Sequence, residues 1–323
     1  LRTRRGDPIP QGWPVPAWHE PRVKSAAGYA PPRDLVDVFI GQEGTLGIIT
    51  EATVRLTDLP ADVLALLVFF PDRASCLSFL ERARRSARSN PRAPLSPRCL
   101  EYLDHHCLDL ARDRGCEVPA GAHAALFCEQ EVHDLADLDA HLAAWWEAME
   151  AHTPLADQAL LATDAPSRQR LHALRHAIPA GINERVVRNG MPKLGTDLSV
   201  PDHALAEMMD AYERAPLDHV LFGHIGDNHL HLNLLPRSPD ELARARAFYD
   251  DLARLAIRLG GSVSAEHGIG KSKVQQLAWM VSPDTLTSFQ RLKTHLDPHW
   301  ILGRHTLLQP PEHLPPAHGV PGA

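Results

Sequence analysis

The stretch GHIGDNHLH, residues 223–231, sets His224 and His231 seven positions apart around a Gly-Asp-Asn core. Two neutral imidazoles held together are a good start on a divalent metal site, which needs at least a third ligand. Gly226, Asp227 and Asn228 are turn formers, and the apolar runs HVLF and LHLNLL flank them. The pattern therefore predicts a β-hairpin whose two strands bring His224 and His231 face to face across the turn. A third ligand is on offer in GGSVSAEHGIGKSK, residues 260–273, where Glu266 and His267 lie between a short predicted strand and a Gly-flanked turn. Neighbours on extended backbone point to opposite sides, so Glu266 can complete a two-histidine, one-carboxylate set while His267 serves as a base. On these residues alone a plainer reading stands beside that one. The hairpin tip can carry incidental histidines in a chain that has 20, and Glu266 can cap the following helix.

A third segment, IGQEGTLGI, places Gly41, Gly44 and Gly47 within a few residues of one another. Backbone without side chains can lie close against a flat, anionic cofactor and donate amides to it, although a glycine-rich turn with no ligand has the same composition. VDVFIG and IITEATVRL on either side read as strands, followed by DVLALLVFF (strand), DRASCLSFLERARRSARS (helix), LEYLDHHCLDLARDR (helix) and AALFCEQEV (strand). HDLADLDAHLAAWWEAMEAH (helix), DQALLAT (strand), APSRQRLHALRHAIPAGINERVV (helix), KLGTDLSV (strand) and DHALAEMMDAYERA (helix) lead into the hairpin. SPDELARARAFYDDLARLAIRLG and PDTLTSFQRLKTHLD add two further helices, and PPEHLPPAHGVPGA is a Pro-rich tail expected to be disordered. Such alternation predicts an α+β fold, with a ferredoxin-like antiparallel sheet and helices packed on one face.

The 323 residues are 44% hydrophobic and 23% charged, an ordinary globular composition. A net charge of -7 gives no footprint for nucleic acid. Apolar runs such as VLALLVFF fall well short of a membrane span, so a cytoplasmic protein is expected, or one peripheral at a membrane. The five cysteines form no CxxC pair and read as reduced thiols. A mixed zinc site from Cys99, His105, His106, Cys107 and Cys116 is conceivable, but the helical periodicity of that stretch favours buried cysteine. The chain opens on Leu1 and a Pro-rich stretch, which suggests a piece of something longer.

AGYAPPRDLVDVFIGQEGTLGIITEATVRL, GHIGDNHLHLNLLP and AEHGIGKSK, in that order and separation, closely resemble the FAD-linked D-2-hydroxyacid dehydrogenases of the D-lactate, D-2-hydroxyglutarate and glycolate types. Three agreeing motifs are far more specific than one. The resemblance runs from about residue 24 to about residue 308 and implies FAD-dependent, metal-assisted oxidation of a D-2-hydroxy acid to the 2-oxo acid. It places metal ligands at His224, His231 and Glu266, with zinc first and manganese or iron as alternatives, and the catalytic base at His267. It further implies substrate contacts at Arg175, Lys193 and Asn233, and FAD neighbours at Glu43, Gly44, Gly47 and Ile48 together with Gly28 and Tyr29. On this reading residues 1–60 end a flavin-binding lobe, 61–281 form the substrate cap with the metal site, 282–309 return to the flavin lobe, and 310–323 are the tail. Two departures stand out: no PGGGTS-like pyrophosphate loop is present, and His305 occupies a position that is usually glycine. A split enzyme with a separate FAD-lobe chain, a non-catalytic remnant, and a zinc hydrolase using the same three ligands are the rivals. The electron acceptor implied is a quinone, a cytochrome, an electron-transfer flavoprotein or an iron-sulfur protein.

Overall fold

A computed structural model of the chain describes residues 14, 16, 18–32 and 34–311. Of the tail expected over 310–323, residues 312–323 lie outside the described residues. The elements begin with α1 (Leu35–Phe39), β1 (Asp62–Phe70), α2 (Arg73–Ser89), β2 (Cys99–Leu103), α3 (His105–Arg112) and β3 (Ala124–Val132). They continue with α4 (Leu138–His152), β4 (Leu160–Ala162), α5 (Ala165–Asn189), β5 (Leu194–Gly195), β6 (Leu198–Ser199) and α6 (Leu205–Tyr212). The series ends with β7 (His219–His224), β8 (His229–Leu234), α7 (Pro239–Arg258), α8 (Val274–Met280) and α9 (Pro283–Leu296).

The chain divides into two compact units. One comprises Arg55–Thr196 and Asp210–Tyr249 and is called the sheet unit below; the other comprises Leu1–Val54, Asp197–Met209 and Asp250–Ala323 and is called the loop unit. Segments 197–209 and 250–281, which chain order alone assigns to the substrate cap, cluster with the loop unit. The physical reason is the polar network around Asp197 described below.

The sheet unit holds antiparallel strands in the order β4-β1-β3-β2-β7-β8-β5. Its first half, β1-α2-β2-α3-β3-α4-β4, has the ferredoxin-like strand order with α3 inserted. The α+β class and the antiparallel sheet are as expected, but the helices cover both faces. Ala65, Leu67 and Phe69 of β1 pack in one cluster with Leu108 and Ala111 of α3 and Leu171, Leu174 and Ile178 of α5. The alternate residues face the other way, where Phe70 meets Phe79 of α2 at 5.3 Å between ring centroids and Phe79 meets Trp145 of α4 at 6.0 Å. Strand β1 is therefore buried without a break from Leu64 to Phe70, the pattern of a strand covered on both faces. Each such large side chain contributes about 1.5–3 kcal/mol.

Caps account for several boundaries. Asp72 accepts from the Ser75 amide at the start of α2, and Asp164 forms a capping box with Ser167 at the start of α5. The 25-residue α5 ends at Gly190 in the left-handed conformation and carries Pro179 in its interior. Caps also explain two misread segments. In LEYLDHHCLDLARDR the Asp104 carboxylate accepts from the Cys107 amide, so the chain is strand up to Leu103 and helix from His105. VDVFIG is the short helix α1, because Asp34 and Asp37 form a capping box. Residues 47–61, in which IITEATVRL reads as a strand, pair with no described strand, and a strand without partners has no ladder to hold it. KLGTDLSV divides at Thr196 and Asp197 into β5 and β6.

Candidate functional site

In the sheet unit, β7 and β8 form the expected hairpin, with Asn228 in the left-handed conformation at its turn. Buried Arg84 of α2 clamps that turn, donating to the Ile225 carbonyl and, at 2.5 Å, to Asn228 Oδ1. The register differs from the expected one: His224 stands opposite His229, and His231 opposite Phe222. The tight turn leaves only four residues between His224 and His229, which moves His231 two pairs further along the ladder. Alternation nonetheless puts His224, His229, His231 and Asn233 on one face. The His224 and His231 rings lie 6.1 Å apart edge to face, with His229 at 5.7 Å and 4.4 Å from them respectively.

Partners fix the ring orientations. His231 Nδ1 lies 2.9 Å from the Thr196 carbonyl oxygen, which can only accept, so the proton sits on Nδ1. His224 Nδ1 faces Glu101 Oε1 at 3.5 Å. Glu101, only 7% exposed, also receives a two-pronged ion pair from Arg175, with Nε at 2.6 Å and Nη2 at 2.5 Å. Arg175 is thus committed to a protein carboxylate, whose hydrogen bond is the main cause holding its guanidinium above the ordinary value. Lys193 Nζ donates to Asn233 Oδ1 at 2.8 Å, and burial lowers its affinity for the proton. A cleft of about 290 Å³ opens beside His224, with Arg84, Arg88, Arg98, Cys99 and Asp227 among its lining residues.

The loop unit holds Glu266 and His267. Its framework is three chain passes joined by main-chain bonds: Ala26 to Ser264, Ser199 to Ser262 in both directions, and Ala265 to Asp197. Asp197, 2% exposed, sits at the hub. Its carboxylate accepts from the Glu266 amide at 3.2 Å, the His267 amide at 3.1 Å, Ser264 Oγ at 2.7 Å and Lys273 Nζ at 2.7 Å. Those bonds turn the backbone so that Glu266 and His267 project outward. Glu266 pairs with Lys24 at 2.7 Å, its other oxygen lies 3.4 Å from His267 Nε2, and the His267 side chain is largely exposed.

The glycine-rich segment lies in the same unit. The Glu43 carboxylate accepts from the Ile269 and Gly270 amides, each at 2.7 Å. Gly268 beneath it has φ +71°, and a Cβ there would fall 2.7 Å from Glu43 Oε1, so both conformation and space require glycine. Gly44 and Gly47 border open space, where an added Cβ would meet no atom within 4 Å, and Ile48 is 82% exposed. That bare strip of backbone suits a flat ligand laid along it. Gly28 and Tyr29 are instead packed inward. Tyr29 is buried, its hydroxyl lies 2.7 Å from Thr45 Oγ1, and its ring meets Phe289 edge on at 5.3 Å.

Arg84, Glu101, Asp197 and His229 were not among the expected residues. Asp197 and His229 had visible signals: an acid inside the apolar run KLGTDLSV, and a histidine two residues before His231 on a strand. Arg84 and Glu101 act on partners far along the chain and had none.

Residues 59–306 match the family described as FAD linked oxidases, C-terminal domain. The chain is 28% identical over 293 residues to the glycolate oxidase subunit GlcD of Bacillus subtilis, covering 87% of this chain and 57% of that protein. It is 32% identical over 301 residues to the D-2-hydroxyglutarate dehydrogenase of Xanthomonas citri pv. viticola, covering 89% of this chain and 59% of that protein. The chain therefore spans less than two thirds of either relative's length. Among solved structures, the 4-ethylphenol oxidase of Gulosibacter chungangensis matches with a TM-score of 0.55 at 13% identity, over 81% of this chain and 56% of that one. At that identity the match concerns the fold.

Proposed function

The chain belongs to the FAD-linked oxidase C-terminal domain family, and from that premise we propose that it carries the substrate and metal side of an FAD-dependent 2-hydroxy acid dehydrogenase of the D-lactate or D-2-hydroxyglutarate kind. The observation that carries this reading is the β7–β8 face, where His224, His231 and Asn233 project together and His231 has its Nδ1 proton directed at the Thr196 carbonyl. Two imidazoles on one face fit a divalent cation, and Glu266 would be the oxygen donor by resemblance. Bound there, the cation supplies positive charge that makes a substrate hydroxyl more acidic. Gly44, Gly47 and exposed Ile48 would border FAD, which when bound would supply the two-electron acceptor.

The chain's own residues do the rest. His267, exposed and next to Glu266, takes the hydroxyl proton, a role that a ring nitrogen with a lone pair can fill. Asn233 and Lys193, already bonded to one another, offer an amide and an ammonium to the substrate carboxylate. Arg175 reaches that carboxylate only by exchanging it for Glu101. Exposed Val36, Ile40, Ile48, Ile49 and Val54 support cover of the glycine-rich strip by a flavin-binding lobe.

The test is metal analysis with a screen of D-2-hydroxy acids against a dye acceptor, on the longest gene product. Replacing His224, His231 or Glu266 by alanine is expected to remove metal and turnover together. His267→Ala is expected to keep the metal and lose turnover. Full metal occupancy in all three ligand variants would overturn the assignment.

A further inference from the structure

A second group of imidazoles lies in the sheet unit, at the opposite end of β7 from His224. His219 begins that strand and His224 ends it, about 16 Å apart at the usual strand rise. Here His105 and His106 open α3 directly after Asp104. Their rings are 3.9 Å apart, His123 stacks on His105 at 4.6 Å, and His219 meets His106 edge on at 4.8 Å. Asp104, His105 and His106 each present a ligand atom within 4.8 Å of the others.

We propose that Asp104, His105 and His106 form a second binding site for a divalent transition metal, separate from the hairpin face. Two observations carry it, the first being the convergence of those three ligand atoms. The Asp104 carboxylate is held rigid by two amides, with Oδ1 2.8 Å from the Cys107 nitrogen and Oδ2 2.9 Å from the Leu221 nitrogen, and each oxygen retains a lone pair. His219, edge on to His106, is fixed by its Nδ1 donating to the Leu217 carbonyl at 3.0 Å and borders the set. Two imidazoles and one carboxylate are a donor set that suits a divalent transition metal, with one negative charge to offset its own.

The neighbouring cysteines do not take part. Cys107 is fully buried, its thiol donates to the Leu221 carbonyl, and burial keeps that thiol protonated. Cys99 lies on β2, and burial, then Glu101 and Glu129, push its thiol up to about 12. His123, exposed, stacks parallel on His105 at 4.6 Å.

The experiment uses the full chain carrying His224→Ala and His231→Ala, stripped with chelator and dialysed against zinc or nickel chloride alone. One equivalent of metal is expected to remain. Adding His105→Gln and His106→Gln should weaken that retention about tenfold or more, with circular dichroism showing that α3 is intact. As an independent reading, cobalt bound in the same background should give visible absorption bands that the glutamine pair abolishes. The proposal is overturned if no metal is retained in the hairpin double variant, or if retention is the same with and without the glutamine pair.

Discussion

The two histidine-bearing turns of this protein are built by different means. Around His224 and His231, strand alternation supplies the geometry: the register of β7 against β8 puts four polar side chains on one face, and Arg84 secures the turn from outside. Around Glu266 and His267 no regular element is present. A buried carboxylate, Asp197, gathers the amides of the turn, and Glu43 gathers the next two. A hairpin shares its cost over many ladder bonds and an apolar core. A loop folded on a buried ion concentrates it in one group.

Asp197→Ala should therefore have the largest effect. It leaves half-buried Lys273 without its charge partner and two amides without an acceptor, at about 3–5 kcal/mol. Urea unfolding would read this directly, and a loss below about 1 kcal/mol would mean the turn stands without its hub. Arg84→Met in the hairpin should cost less, about 1.5–3 kcal/mol for bonds from a charged donor, because the β7–β8 ladder remains. An equal or larger loss would erase the distinction between the two turns. Glu101→Gln comes next: it keeps the side-chain shape but removes the charge facing His224 and Arg175. The expectation is roughly tenfold weaker metal retention with little change in unfolding, and unchanged retention would separate Glu101 from the hairpin face.

The smallest effect is a response to acid in the loop unit. Burial raises the Asp297 carboxyl, but the Lys293 hydrogen bond, the Leu302 and Ile301 amides and the Lys293 charge outweigh it and hold it below the ordinary aspartate value. A depressed carboxyl stabilises the fold above its unfolded value, near about 3.9, and that contribution fades as pH falls through the folded value. Melting temperature should accordingly fall more steeply below about pH 4 in the native chain than in Asp297→Asn. Parallel curves would show that the pair is energetically silent.

Much of this was legible in the chain. Turn formers between apolar runs located the hairpin, and alternation correctly put Asn233 on the face of His231. The strand DVLALLVFF was recognisable, but its unbroken apolar run also marked helices on both faces. Other features depend on single contacts. The Asp104 cap decides where β2 stops and α3 starts, and a smooth helical periodicity across CLEYLDHHCLDL conceals it. The count of residues in the turn sets which histidine faces which. Arg175 and Glu101, 74 positions apart, meet only because α5 packs over the sheet.

Pro179 gives Arg175 a further property. Proline has no amide hydrogen, and its ring crowds the carbonyl four residues earlier, which is the carbonyl of Arg175. The long helix α5 thus lacks one rung, and Arg175 sits beside the gap. Its guanidinium is gripped by Glu101 while its own carbonyl has no amide at Pro179 to accept from. In hydrogen exchange the two halves of α5 should open as separate cooperative segments. On the proposed reading, movement of Arg175 from Glu101 to a substrate carboxylate would ask for a small bend beside Pro179, with the strands beneath it undisturbed.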